Sequence, residues 1–340
     1  MTTDATPSAP TLEQVAARAG VSRSTVSRVV NESPHVTDEA VAAVREAIEA
    51  LGYVPNRAAR TLASRRTHAI ALVVPESTAK VFADPFFASV VQGVALHLAD
   101  TDYTLTMMIA SEANSEKTRR YLLGGNVDGA LVVSHHSGDH SYARLGRSLP
   151  VVFGGRPLSA EESGSYFVDV DNAAGAEAVT RHLIEAGCRR IATICGPQDM
   201  PPGVDRLSGW RRAVQSAGLQ DDLVEVGDFS PRSGAEAMTR LLDGGQEFDG
   251  VFVANDQMAA GALSVLRARG KRVPADVAVA GFDGDIYGET SEPPLTTVLQ
   301  PSVALGARMA EVLVDRLEGR EVERVTMMPI DLVVRASTRR

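Results

Sequence analysis

The stretch VSRSTVSRVVN, Val21 to Asn31, carries the densest set of side chains able to recognise another molecule. On a helix, Val26, Val29 and Val30 fall at i, i+3 and i+4 and form an apolar stripe. Arg23, Ser24 and Thr25 are exposed in the first turn, and Arg28 lies one turn beyond Ser24 on the same face. A guanidinium there can donate two parallel hydrogen bonds to a guanine edge, and hydroxyls can bond phosphates or base edges. The chemistry is that of reading a DNA groove, with Ser22, Ser27 and Asn31 as further polar groups. A second stretch, HHSGDH from His135 to His140, invites a metal reading, but no cysteine or carboxylate cluster completes a site. It follows an apolar run as a cleft loop would, where His135 can bond a ligand hydroxyl. Cys188 and Cys195 read as packing residues and imply no disulfide framework. No Ser/His/Asp grouping and no Walker-type glycine loop is found, so neither catalysis nor a cofactor or metal is expected.

The flanking sequence supplies elements that hold the first stretch. TLEQ, Thr11 to Gln14, has the form of a capping box. A short alanine-rich helix follows with Val15 and Ala16 as its buried face, and Gly20 ends it in a tight turn. Ser22 can cap the next helix. Thr37 starts a third, with Asp38 and Glu39 in the first turn where carboxylates suit the dipole. Val41, Val44, Ile48 and Leu51 recur at helical spacing, and Gly52 closes it. This is a helix-turn-helix, although the pattern alone also suits a small bundle that binds nothing. YVPNRAARTLASRR follows, Tyr53 to Arg66. Taken alone it reads as a linker, since about two helical turns do not hold their form in water.

A chain of 340 residues with 44% hydrophobic content has room for two or three domains. No apolar run approaches a membrane span. The N-terminus shows no basic region followed by an apolar stretch, so residues 1–10 are expected to be a disordered tail and the protein cytoplasmic. The net charge of -9 is unevenly spread: residues 1–66 carry eight arginines against seven carboxylates, and the remainder 26 basic against 36 acidic residues. An acidic remainder discourages nonspecific wrapping of DNA. From His68 onward, apolar runs such as AIALVVP, GALVVS, RIATICG and VAVAGFD alternate with helical stretches such as AVTRHLIEAG and QMAAGALSVLRARG. The fold class expected is α/β, with an all-α headpiece followed by two doubly wound modules built on parallel sheets. VDGALVV at 127–133 is echoed by FDGVFVA at 248–254. Ligands of open α/β sheets bind beyond the carboxyl ends of the strands, so facing modules make a cleft.

TLEQVAARAGVSRSTVSRVVN followed by LGYVPNRAARTL resembles the DNA-binding headpiece of the lactose/galactose repressor family. The remainder resembles that family's effector-binding core, of periplasmic-binding-protein type, through DPFF, VDVDN, DRLSGW, GDFSPRSG, ANDQMA, GFD and PPLTTVLQP. The resemblance implies a hinge helix from Arg57 through Ser64, with Leu62 as a lever pressed into the minor groove. It adds Thr11, Tyr53, Asn56 and Ala59 to the DNA-binding set. It also implies an effector pocket in which Phe87 lines the ligand, Phe229 stacks on it, and Arg206 grips hydroxyls or a carboxylate. Asn255 and Asp283 would bond the ligand from strand ends, with Gln300 at a crossover and Asp84, Ser134, His135 and Arg156 also in contact. Phe87 and Phe229 also suit a core, Asp283 a helix cap and Asn255 a helix start.

The domains expected are a helix-turn-helix over 11–55, a hinge over 56–66 and a core over 67–340. The core divides into an N-subdomain, about 67–167 and 300–328, and a C-subdomain, about 168–299 and 329–340, with three crossings between them. Members that take a purine have an arginine and a threonine where this chain has Met200 and Pro202. FADPFF, FGGRPL and GPQDM with GVDRLSGW are most similar to the cellulose-utilisation regulators of actinobacteria, which answer to cellobiose or a related glucan. Gly154 and Gly155 are then expected to leave room for a second ring, and Arg156 to take part of a polar role. The partners expected are an inverted-repeat double-stranded DNA operator, a sugar effector and a second copy in a homodimer, with no membrane. A sugar-binding transport receptor, an enzyme of the doubly wound class, and a regulator using a corepressor or phosphoprotein are the alternatives.

Overall fold

The structure, a computed structural model, describes residues 10–30, 35–54, 66–110, 115–136, 145–146, 148–157 and 164–339. Residues 1–67 and 68–340 form two compact units. The expected contacts at Asn31, Asn56, Ala59 and Leu62 lie outside the described residues, as does His140 of the histidine tract.

The smaller unit holds helices α1 (Leu12–Ala19), α2 (Arg23–Val30) and α3 (Asp38–Leu51). The capping box forms: the Thr11 amide donates to Gln14 Oε1 at 2.8 Å and Thr11 Oγ1 accepts from the Gln14 amide at 3.4 Å. Gly20 takes a φ of 67°, a left-handed conformation that a β-carbon would strain, and so turns the chain into α2. Val15, Ala16, Val26, Val44, Ala47 and Tyr53 make the core of this unit.

The larger unit is built on two six-stranded sheets. The first has the order β11-β5-β4-β3-β1-β2, from strands β1 (Ala69–Val74), β2 (Thr104–Ile109), β3 (Gly129–Val133), β4 (Val151–Gly154), β5 (Tyr166–Val170) and β11 (Val325–Met328), all parallel. The second has the order β12-β10-β9-β8-β6-β7, from β6 (Ile191–Cys195), β7 (Val224–Val226), β8 (Gly250–Val253), β9 (Ala278–Asp283), β10 (Thr296–Leu299) and β12 (Asp331–Val333). Only β12 runs antiparallel, along β10. Both sheets are buried on two faces, which explains the near-continuous apolar runs of their central strands.

The helices that serve the site are α4 (Thr78–Ala83), α5 (Pro85–Leu98), α7 (Asn172–Glu185), α8 (Pro201–Ser216), α9 (Pro231–Asp243), α10 (Asp256–Ala268) and α12 (Ser302–Leu317); α6 (Ser115–Tyr121) and α11 (Ile286–Thr290) lie elsewhere in the chain order. Helix α12 follows a strand of the second sheet yet packs on α5 and on β3, β4 and β5 of the first. Gly93 and Gly306 let these two helices meet at backbone contact, since a β-carbon at either would collide with a carbonyl of the other. The chain passes between the sheets after β5, after β10 and after β11. The expected limit at residues 167/168 falls inside β5, which stays whole in the first sheet, so the first passage follows Val170.

Candidate functional site

The candidate DNA-reading face is the outer side of α2. Ser22 Oγ accepts from the Thr25 amide at 3.1 Å and lies 2.8 Å from both Ser24 Oγ and Thr25 Oγ1. Val26 is buried against α1 and α3 while Arg23, Ser24 and Arg28 are exposed. Arg23 also pairs with Glu13 at 3.2 Å on the surface, a contact that a nearby phosphate can outcompete at little cost. Ser27 is half-buried. Thr11 spends its hydroxyl on the cap of α1. Tyr53, expected at the DNA, instead lies in the core with 7% of its surface exposed, so packing is its visible role.

In the larger unit, strand ends of both sheets converge on a cleft of about 740 Å³, open side included. Asp84, Phe87, Ser134, His135, Arg206, Phe229, Asn255, Asp283 and Gln300 all line it. Three of them, Ser134, Phe229 and Asp283, have φ values of 61°, 71° and 102°. A non-glycine residue there costs on the order of 1–3 kcal/mol, and such strain gathers where side chains must be aimed.

Arg206 organises the wall from the second sheet. It is 4% exposed. Its Nε donates to Asn172 Oδ1 at 2.8 Å, Nη1 to the Ala254 carbonyl at 2.6 Å, and Nη2 to Gln300 Oε1 at 3.2 Å. Nη1 also lies 3.0 Å from Asp283 Oδ1, and the guanidinium stacks on Phe282 at 3.7 Å from the ring centre. Four acceptors and an aromatic face thus hold one cation rigidly. Burial pushes the Asp283 carboxyl above the usual range, and Arg206 opposes that shift. Asn255 accepts from the Met258 amide at 2.9 Å as the cap of α10, and its amide donates to the Phe229 carbonyl at 3.0 Å. It begins a helix and also fixes the turn that presents Phe229.

The opposite wall is more apolar. Phe86 and Phe87 meet edge to face at 5.5 Å, with Asp84 capping their helix through a 2.9 Å bond from the Phe86 amide. Burial first, then repulsion from Asp283 and Asp285, raises the Asp84 carboxyl to about 7, so near neutrality it can donate a hydrogen bond. His135 is 6% exposed and packs its edge on Phe153 at 5.2 Å. Among the described residues neither ring nitrogen has a hydrogen-bond partner of ordinary geometry, although the Arg156 backbone lies close enough to favour the charged form. Burial lowers its pKa to about 4, leaving a neutral ring with one donor and one acceptor.

Arg156 does not line the cleft. It forms a two-pronged ion pair with Asp205, Nε to Oδ2 at 2.8 Å, that joins the end of β4 to α8 across the cleft. A second bridge runs beside it. Glu76 Oε1 accepts from Ser134 Oγ at 2.7 Å and Lys80 Nζ at 2.8 Å and faces His136 Nε2 at 3.4 Å, while His136 Nδ1 lies 2.8 Å from Asp199. The bond to Glu76, then Asp199, raises His136 to about 9 and keeps it charged. Sequence reasoning gave no role to Glu76, nor to Asp199 and Asp205, although GPQDM and DRLSGW contain the latter two. It also gave no role to Asp169 and Asn172 within VDVDN, although their burial at the end of β5 ties Arg156 to Arg206: Asp169 Oδ2 accepts from the Arg156 amide at 2.7 Å. Gly154 lines the cleft, but a β-carbon there would press on Val133 and Met309, so its smallness also serves the core. Gly155, at φ 98°, faces open space toward His135. Met200, Pro201 and Pro202 form an apolar strip of the same cleft.

Among the described residues no group of three or more His, Cys, Asp or Glu is arranged to hold a metal, and no helix is long and apolar enough to cross a membrane. Residues 11–56 match the family model of bacterial regulatory proteins, lacI family, and residues 180–338 that of the periplasmic binding protein-like domain. The HTH-type transcriptional regulator CelR of Thermobifida fusca is 48% identical over 333 residues, 96% of this chain and 98% of that one. A structure described as a transcriptional regulator CelR–cellobiose complex aligns with a TM-score of 0.77 at 46% identity, covering 96% of this chain and 99% of its own. The lac repressor dimer bound to operator and the anti-inducer ONPF aligns with a TM-score of 0.86 at 27% identity, covering 97% and 99%. With a reading helix in one unit and a two-walled cleft in the other, the chain belongs to the lacI family of bacterial regulatory proteins and is a DNA-binding regulator of transcription.

Proposed function

We propose that the protein is a homodimeric repressor that leaves an inverted-repeat operator when cellobiose or a related glucan binds its cleft. The observation that carries the effector class is the pairing of aromatic faces with compensated polar groups. Phe86, Phe87 and Phe229 suit the C–H faces of a pyranose. Arg206 is tied to four acceptors and Lys80 to Glu76, so neither cation is left seeking an anion. Neutral His135 and a proton-sharing Asp84 suit hydroxyls instead. The solved CelR–cellobiose complex supports the same ligand.

Two recognition helices of a dimer read the two half-sites. Paired segments around Leu62 fold on the DNA and wedge a flexible base step. Sugar favours a closed cleft, and closure disfavours the paired hinges. Linkage then requires DNA to weaken sugar binding by the same factor.

The test is thermal unfolding of the full chain against a panel of sugars, followed by operator release with whichever sugar shifts it. A ligand at 100 times its Kd adds about 2.7 kcal/mol if it binds only the folded state. A shift with cellobiose that also releases operator is the expected outcome. A shift with another sugar alone replaces the effector but keeps the mechanism. A sugar that tightens operator binding reverses the direction.

A further inference from the structure

The bridges across the cleft are confined to one end. Arg156–Asp205 and Glu76–His136–Asp199 join the ends of β3 and β4 to α8 and the turn before it. Where α4 faces the turn between β7 and α9, no hydrogen bond or ion pair between described residues crosses. A second hollow of about 710 Å³, open side included, lies there. It shares Lys80, Asp84 and Phe229 with the main cleft, so the two spaces adjoin. Its wall contains Gln257, a side chain only 2% exposed whose Nε2 has no hydrogen-bond partner among the described residues. A buried amide N–H left unmade is costly, on the order of 1–3 kcal/mol, unless something arrives to accept from it. The rest of the wall is amphipathic. Asp228 is an acceptor: burial pushes its carboxyl up, but hydrogen bonds from Ser230 and Ser233 and the attraction of Lys80 on α4 hold it below the usual carboxylate range, while Ala79, Ala83 and Pro231 are apolar.

We infer that this hollow is an additional sugar subsite, which seats a third pyranose ring of a neutral β-linked oligosaccharide whose first two rings occupy the main cleft. The inference rests on the cello-oligosaccharide reading of that cleft. The end bridged by ion pairs stops the chain in one direction, and the unbridged end lets it continue. Gln257 donates to a hydroxyl of the third ring, and Asp228 accepts from another.

Calorimetric titration of the full chain with cellobiose, cellotriose and cellotetraose tests this. Cellotriose is expected to bind at least as tightly as cellobiose. Ala79→Leu adds bulk on an exposed helix position that borders the hollow. It should weaken cellotriose about tenfold, equivalent to about 1.4 kcal/mol, and leave cellobiose unchanged. Gln257→Met keeps the shape and removes the donor. It should cost cellotriose about three- to tenfold, again without effect on cellobiose. The subsite is overturned if wild type binds cellotriose ten times more weakly than cellobiose. It is equally overturned if Ala79→Leu spares cellotriose or weakens both sugars alike. A Gln257→Met chain that binds cellotriose as wild type does removes Gln257 from the subsite. Binding of none of the three sugars removes the effector reading itself, and the subsite with it.

Discussion

The headpiece and the cleft recognise by opposite physical means. On α2 the candidate contact groups Ser22, Arg23, Ser24 and Arg28 are exposed, with Ser22 bonded to its own helix and Arg23 to a surface glutamate. In the cleft they are buried and already bonded to one another, with Arg206 joined to Asp283 on β9 and to Asn172, Ala254 and Gln300 just beyond the ends of β5, β8 and β10. A phosphate backbone supplies its own strong field, so exposed cations suffice to meet it. A neutral sugar supplies none and must find donors and acceptors fixed in advance. The two regions should therefore answer differently to substitution: the headpiece by lost readout, the cleft by lost structure.

The largest test is Arg206→Ala. It leaves Asp283 buried without its cation and strips a donor from Asn172, Gln300 and the Ala254 carbonyl. Breaking such a buried pair costs about 3–5 kcal/mol, so thermal unfolding of residues 68–340 should move sharply downward and sugar binding disappear. Arg206→Lys should rescue little, because an ammonium cannot satisfy the same four acceptors and stack on Phe282. A chain that keeps wild-type stability with alanine there would contradict the picture of a pre-bonded cleft.

Arg28→Ala is the counterpart in the headpiece. It should leave stability and sugar affinity unchanged and lose about 1–3 kcal/mol of discrimination at a guanine step. The readout is binding to operators varied one base pair at a time. If all sequences weaken alike, Arg28 touches phosphate rather than a base, and the reading role passes to other residues of α2. Thr11→Ala and Ser22→Ala should be smaller and purely structural, about 1 kcal/mol each from lost helix caps, visible in headpiece unfolding.

This contrast also explains what was legible in the sequence. Capping, turn and helix spacing are local, so the capping box at Thr11, the turn at Gly20 and the stripe from Val15 to Val44 stand in consecutive residues. Strand alternation disclosed two parallel-sheet modules for the same reason. The cleft is assembled from strand ends far apart in the chain. Residues that match family motifs, such as Phe87, Phe229, Arg206 and Asp283, could be carried over, and the structure brings them together. The partners of Glu76, Asp199 and Asp205 could not be read, even with the last two inside GPQDM and DRLSGW, because a carboxylate looks the same whether it faces water or a partner about 50 residues or more away. Arg156 was misread for that reason: its side chain turns from the ligand space toward Asp205. At Gly154 smallness alone does not say whether ligand or core claims the space: the residue lines the cleft while its missing β-carbon faces Val133 and Met309.

Asp84 belongs to both descriptions at once: a local helix cap and a member of the buried cleft. Its folded pKa, about 7, lies above the ordinary carboxylate value, because burial and its acidic neighbours disfavour the charge. The native state therefore holds this proton more tightly than the unfolded chain does. Stability from that source is fully present below about pH 4 and is lost as pH rises toward 7. Asp84→Asn keeps an oxygen to accept from the Phe86 amide and removes the titration. The difference in unfolding temperature between the two proteins should thus change steadily between pH 5 and 8, with the asparagine chain gaining relative to wild type as pH rises. Cellobiose affinity should decline with pH in wild type over the same range and stay flat in the variant, because the asparagine amide can donate at every pH. Parallel pH profiles for the two proteins would mean that Asp84 stays ionised in the fold and serves only as the cap of α5.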